Sequence, residues 1–231
     1  MSEQSTKTTG GRKAQAARSG RDQAPAARGA QPAPTGRRLP PAERRAQLAQ
    51  AALAVAAEQG YARLSLDDVA ERAGVTRNLL YHYFPRGRLD VFLAALERAG
   101  DELTGGFIVD PDQPLAERLL ANTLHSIEHA AEPSDAWRVM RHAHAAAEPE
   151  IDALRKRYRD VIVTGIAINQ LGTDDPPPLA LVALRAYLDF HQSALDEWRD
   201  SDVDRETLLR LLEDVLLASV AVARSAVAGR R

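Results

Sequence analysis

Ser65-Leu66-Asp67-Asp68-Val69-Ala70-Glu71-Arg72-Ala73-Gly74-Val75-Thr76-Arg77-Asn78-Leu79-Leu80-Tyr81-His82-Tyr83-Phe84 is the stretch that decides the fold. It reads as two short helices joined by a tight turn. Ser65 can cap the first helix, and Asp68, three residues on, has capping-box spacing. Ala70 is small enough for a second helix to cross closely over the first. Gly74, four residues later, supplies the positive φ that the turn needs once the helix ends. Thr76 can offer its hydroxyl to the free N–H groups of the second helix. Val75, Leu79 and Leu80 are assigned to a small core, which leaves Arg77, Asn78, Tyr81 and His82 on the outer face. This is the layout of a helix-turn-helix, a motif whose second helix enters the major groove of DNA.

The flanks extend the unit. From Pro41 to Gln59, Leu48, Ala52, Val55 and Ala56 fall on one helical face, and Gly60 closes the helix. That helix would support the motif and bring Arg44 and Arg45 near a DNA backbone. Beyond Pro85 a further helix is predicted from Arg88 to Leu103, with Leu89, Phe92, Leu93 and Leu96 inward and Gly105-Gly106 at its end. It begins directly after the recognition helix, so it is the mechanical link to everything downstream.

Length, composition and charge narrow the class. The 231 residues suffice for a sizeable core in one or two domains. Apolar residues make up 45% and aromatics only 5%, which favours packed helices over sheets. No apolar run is long enough to cross a bilayer, and no signal-peptide core follows Met1, so a cytoplasmic location without membrane partners is expected. The absence of cysteine excludes disulfides, thiolate catalysis and cysteine zinc sites. The net charge of −2 conceals an asymmetry. Residues 1–38 carry 8 basic and 2 acidic side chains, residues 39–100 carry 8 and 7, and residues 101–231 carry 14 and 23. The front of the chain suits a polyanion and the back repels one.

Residues 1–38 are rich in Gly, Ala, Pro, Arg and Gln and cannot bury enough surface to fold, so a disordered basic tail is predicted. Such a tail would add non-specific phosphate attraction or lie in a minor groove; a solvated tail with little effect is the alternative. Downstream, helices are predicted at Pro114–Ala131, Ser134–Ala147, Pro149–Leu171, Leu179–Arg199 and Asp204–Ala228, with Gly172–Pro178 a firm break. The last helix holds Leu208, Leu209, Leu211, Leu212, Val215, Leu216, Leu217, Val220 and Val222, too many for one stripe. A helix apolar on two faces must be covered on both. Leu181, Val182, Leu184, Leu188, Leu195 and Trp198 give the preceding helix a similar excess. Two helices from each of two chains would form a twofold four-helix interface, so a homodimer through the last two helices is predicted.

The run from Ala42 to Ala99 resembles the DNA-binding domain of the TetR family of bacterial transcriptional regulators. Ala51-Ala52-Leu53, Gly60-Tyr61, Leu66-Asp67-Asp68-Val69-Ala70, Ala73-Gly74-Val75-Thr76 and Leu80-Tyr81-His82-Tyr83-Phe84-Pro85 carry the resemblance. It covers about a quarter of the chain; the remainder is similar in its all-helical layout and weakly around Leu184 to Trp198. One departure is that family members usually carry a lysine shortly after the Phe-Pro pair, where this chain has Arg86 and Arg88. Arginine can grip a phosphate with two donors. The resemblance implies pairing through the last two helices, a pocket among the helices after Leu103, and phosphate contacts from Ser65, Thr76, Tyr81, His82 and Arg88.

From the residues themselves, Arg77 and Asn78 in the first turn are best placed for base contacts, Arg favouring guanine and Asn adenine. Tyr81 and His82 can reach phosphates or base edges, and Tyr83 is expected to pack its ring and turn its hydroxyl toward a phosphate. Trp137, Met140, Arg141 and His144 share one helical face, and Tyr187 and His191 another; as pocket walls they suit a small, mostly apolar effector. For each, a plain core or surface role is the alternative. His125 and His129 share a face and His142 and His144 lie close in sequence, but no HExxH setting accompanies them, so no metal is predicted. No Gly-x-Ser-x-Gly elbow is present, and the carboxylate pairs Asp67-Asp68 and Asp174-Asp175 fit helix starts, so neither catalysis nor a cofactor is predicted.

The expectation is therefore an all-α chain. After the tail, residues 39–87 form a three-helix helix-turn-helix domain and residues 88–231 a helical effector-binding and dimerisation domain. Its partners are a palindromic double-stranded operator and an unidentified small-molecule effector, and its function is regulation of transcription, most simply repression relieved by the effector. The alternatives are a ligand-independent DNA-binding protein and a helical ligand-binding protein without a DNA role.

Overall fold

Side-chain caps and glycines set the first helix boundaries. In the computed structural model, which describes residues 39–106 and 112–228, the Ser65 hydroxyl accepts from the Asp68 amide at 3.2 Å and the Thr76 hydroxyl from the Leu79 amide at 3.3 Å. Between them Gly74 takes φ 64°, ψ 37°, the left-handed conformation that stops the first helix. The elements are α1 (Pro41–Arg63), α2 (Leu66–Ala73), α3 (Arg77–Tyr83), α4 (Arg88–Gly105), α5 (Leu115–Ala131), α6 (Asp135–His144), α7 (Pro149–Leu171), α8 (Pro178–Trp198) and α9 (Arg205–Ala228). No strand occurs among the described residues, and none of their helices is long and apolar enough to cross a membrane. The basic segment 1–38 lies outside the described residues.

Two expected boundaries move. Gly60 does end the regular part of α1, at φ 68°, ψ 171°, but one more turn, Tyr61–Arg63, continues beyond it. The ring of Tyr61 meets Phe92 edge-on at 5.2 Å and its hydroxyl donates to Glu148 at 2.9 Å, which holds that turn in place. α6 ends at His144 rather than Ala147, although alanine is the best helix former. Pro149 requires an extended residue before it, and Glu148 is extended at φ −79°, ψ 125°. Leu79, assigned to the core, is only half-buried.

One core joins α1–α4 and α6 around Leu48, Leu53, Leu80, Phe84, Phe92 and Leu96. It unites the helix-turn-helix with α4 and α6. A second core fills the space among α7, α8 and α9 around Val163, Ile166, Leu184 and Leu216. A third joins α5, α8 and α9 through Ile127, Leu195, Leu208 and Leu212. Burying one such leucine contributes about 2 kcal/mol, so each core rests on several comparable contributions. α8 and α9 nevertheless leave Leu179, Val182, Leu211, Leu217 and Val222 about half exposed.

Candidate nucleic-acid interface and effector cavity

α3 is held from below and presented from above. Leu80 and Phe84 are fully buried, and the guanidinium of Arg45 lies over the Phe84 ring, 5.1 Å from its centroid. Asn78, Tyr81 and His82 are exposed on the opposite side. Arg77 is exposed too, but engaged: its Nη1 donates to both carboxylate oxygens of Asp67, at 2.9 and 2.8 Å, and Nη2 to the Tyr81 hydroxyl at 3.4 Å. These partners raise its pKa, the Tyr81 hydroxyl most. An exposed pair of this kind is a weak restraint that a better acceptor, such as a guanine edge or a phosphate, can displace. Tyr83 is half-buried against the core and meets His82 edge-on.

The remaining basic candidates are each engaged within the chain. Arg44 donates to Gln47 at 2.6 Å and Arg45 to the Tyr83 carbonyl at 3.3 Å, so Arg45 steadies the end of α3 as well as flanking it. Arg88 donates to the Ala62 carbonyl at 2.9 Å. Arg86 pairs with Asp90 at 2.7 Å and Glu150 at 3.1 Å, a link from the α3–α4 junction to the start of α7. Sequence reasoning missed Gln59. Its Oε1 accepts from the Ser65 amide at 2.8 Å and its Nε2 donates to Asp68 at 2.5 Å. In a complete capping box, the side chain three residues into the helix would satisfy that Ser65 amide; here a residue of α1 does so, and the cap also fastens α2 to α1.

A cavity of about 240 Å³ lies among α4–α9. Trp137, Met140, His144, Tyr187 and His191 line it; Arg141 does not. The guanidinium of Arg141 stacks over Trp137 at 4.7 Å and pairs with Asp196 at 3.0 Å, bracing the outer side of the indole. The His191 Nε2 is 3.0 Å from the Ser126 hydroxyl, which itself donates to the Thr123 carbonyl at 2.7 Å, so Nε2 carries the proton. Burial lowers the His191 pKa to about 4 and raises that of Tyr187, so both side chains are neutral at pH 7. His125 and His129 also line the space, with their Nε2 atoms 3.1 Å apart. Among the described residues no cluster of three or more His, Asp or Glu is spaced to hold a metal ion.

Several wall residues came to light only with the fold. Gly100, Leu103 and Thr104 of α4 line the cavity, as does Tyr158 of α7. The Tyr158 ring lies flat on Gly100, and its hydroxyl donates toward the Glu97 carbonyl at 2.9 Å and Asp101 at 2.7 Å. The helix after the recognition helix is thus itself a cavity wall.

Residues 48–95 match the family model described as bacterial regulatory proteins, tetR family. Over 56 residues the chain is 39% identical to the HTH-type transcriptional activator FasR of Mycolicibacterium smegmatis, a match spanning 24% of this chain and 25% of that protein. A solved tetR-family transcriptional regulator from Streptomyces coelicolor superposes with a TM-score of 0.66 at 28% identity, over 82% of this chain and 90% of that one. A transcriptional regulator from Rhodococcus gives a TM-score of 0.59 at 24% identity over 79% and 97%, a likeness of fold. Residues 48–95 thus carry the DNA-binding domain of the tetR family of bacterial regulatory proteins, and the described helices as a whole are similar in fold to solved tetR-family regulators.

Proposed function

We propose that the protein is a homodimeric, sequence-specific regulator of transcription whose residues 39–87 read DNA and whose residues 88–231 pair the subunits and hold a small effector. The observation that carries the reading is the capped α2–Gly74–α3 unit with Asn78, Tyr81 and His82 turned outward from a fully buried Leu80 and Phe84. In that orientation α3 enters a major groove with its first turn on base edges and the aromatic tips toward phosphates. Ser65, Thr76, Arg44, Arg45 and Arg88 are the proposed phosphate contacts around it. The half-exposed apolar residues of α8 and α9 support pairing through these two helices.

Effector control would run through α4 and α7. Gly100, Leu103 and Thr104 border the cavity on α4, and Tyr158 connects that wall to α7. Arg86 and Glu150 then tie α7 to the junction just after α3. A ligand that fits the cavity in only one arrangement of α4 and α7 shifts the population between dimers whose reading heads fit the operator and dimers whose heads do not. Repression released by the effector is the simplest form. The name of the mycobacterial relative, an activator, favours activation as the second reading; a reporter with the operator placed over or upstream of the promoter tells them apart.

The test is binding to labelled DNA from upstream of the protein's own gene at two salt concentrations, with shuffled competitor. Asn78→Ala should lose about 1–3 kcal/mol on the specific site alone, whereas Tyr81→Ala should weaken binding to all sequences. If neither variant changes binding, α3 does not read DNA.

A further inference from the structure

The charge in the cavity wall is lopsided. Arg155 and Arg159, one turn apart on α7, both line it, and among the described residues Asp189 is the one carboxylate there. Each arginine has an aspartate partner, but on the outer side. The Arg155 side chain is 19% exposed against 42% for Asp152, and that of Arg159 is 25% exposed against 67% for Asp189. Water therefore screens the carboxylates while the guanidinium groups lie inward.

The two arginines are also differently satisfied. Arg155 has a close bond to Asp152 at 2.8 Å and a second to the His144 Nε2 at 3.3 Å. His144 can accept that bond because its Nδ1 donates to the Met140 carbonyl at 3.0 Å. Arg159 has only a long contact to Asp189 at 3.4 Å, and its Nε is buried with no hydrogen-bond partner. A buried donor without an acceptor destabilises the arrangement that holds it. A second guanidinium, that of Arg118, stands behind Asn169 of the wall at 2.8 Å, and its Nε is likewise buried without a partner. The wall also holds apolar Leu103, Met140, Ile162, Ile166 and Leu188 beside neutral polar side chains such as Thr123, Gln170 and Gln192, and burial lowers the pKa of His129 and of His191.

We propose that the effector is a small organic acid, with one carboxylate seated on the guanidinium of Arg159 and a compact apolar body against Trp137, Met140 and Ile166. This rests on the reading of the cavity as the effector site and adds its chemical class. A carboxylate matches the planar fork of an arginine, and the 3.4 Å contact to Asp189 leaves the guanidinium of Arg159 weakly held. A cation would face two arginines, with the largely exposed Asp189 as the carboxylate among the described wall residues. The cavity, of about 240 Å³, has room for a compact body such as a single ring or a short branched chain.

The experiment uses full-length protein without DNA. Benzoate, phenylacetate and cyclohexanecarboxylate are each compared with the matching amide and amine by calorimetry and thermal shift. At least one acid is expected to bind at least tenfold more tightly than its amide, and the amines are expected not to bind. Arg159→Met keeps the apolar stem and should abolish the preference for acid over amide. Arg159→Lys should retain part of it, and Asp189→Asn, which removes the competing carboxylate, should tighten acid binding. The proposal is overturned if no acid binds, if amide or amine binds as well as the acid, or if the preference survives Arg159→Met. Should Arg159→Met not fold, the wild-type comparison and Asp189→Asn still decide. DNA affinity is measured separately: acid binding that leaves it unchanged supports the ligand class and counts against the regulatory reading.

Discussion

His191 shows how one buried side chain sets a condition on the whole fold. Its pKa lies at about 4 in the folded chain against about 6.5 when free, because burial penalises the imidazolium. Between those values the unfolded chain binds the proton and the folded chain does not, so stability is complete above pH 6.5 and falls as the pH drops toward 4. The contribution is about 3 kcal/mol across that window, at about 1.4 kcal/mol per pH unit. His191→Gln should flatten the slope of unfolding free energy against pH between 6.5 and 4, measured by urea denaturation; an unchanged slope would mean that His191 is hydrated in the folded state. Arg77 teaches a different point at the same scale. Its sequence position marks it for base contact, yet in the free chain it is paired to Asp67, ten residues away. The residue type and the helix turn were legible; the partner was not, because it depends on how α2 and α3 cross. Arg141 follows the same rule, since helical spacing gives a face but not which of two neighbours a long side chain prefers.

At the scale of elements, the contact between Gly100 and Tyr158 is the most exacting. A Cβ on Gly100 would overlap the Tyr158 ring, which cannot swing away without losing its bonds to Glu97 and Asp101. Gly100→Ala should therefore cost about 1–3 kcal/mol by forcing α4 and α7 apart, read from thermal or urea unfolding. It should also change DNA affinity without touching α3. Tyr158→Phe combined with Gly100→Ala should be less harmful than the sum of the two single changes, because the freed ring can move. Such contacts explain why element existence was readable and coupling was not. Ser65, Gly74, Thr76, Pro149 and Asp204 announce helix ends through their own chemistry, and the Asp204 carboxylate does accept from the Thr207 amide at 2.9 Å. Gln59, Gly100 and Tyr158 act only on residues brought near by folding, and nothing local marks them.

For the whole molecule, the decisive surface is that of α8 and α9. Leu217 and Val182 are 53% and 63% exposed in the single chain, more than isolated surface residues need to be. In the proposed dimer they lie between subunits. Val182→Glu with Leu217→Glu should yield a folded monomer by analytical ultracentrifugation, with helical content retained by circular dichroism. Apparent operator affinity should fall by roughly 100-fold or more, because two tethered heads bind with the advantage of effective concentration and one head does not. A dimer that survives both changes would place the interface elsewhere. The apolar excess on these helices was legible from composition alone, since any helix with two greasy faces needs two neighbours.

The seating of Phe84 has a consequence for operator length. That side chain is fully buried, Arg45 caps its ring, and only Pro85, Arg86 and Gly87 separate α3 with its Phe84 cap from α4. The reading helix therefore has almost no slack of its own. In a twofold dimer, the distance and angle between the two reading helices are fixed by the protein body rather than adjusted at each site. DNA turns through a full circle in about 10.5 base pairs, so one inserted base pair between half-sites both lengthens the gap and rotates one half-site by about 34° away from its helix. The proposed dimer would act as a caliper: the spacer between half-sites would be measured as strictly as the bases within them.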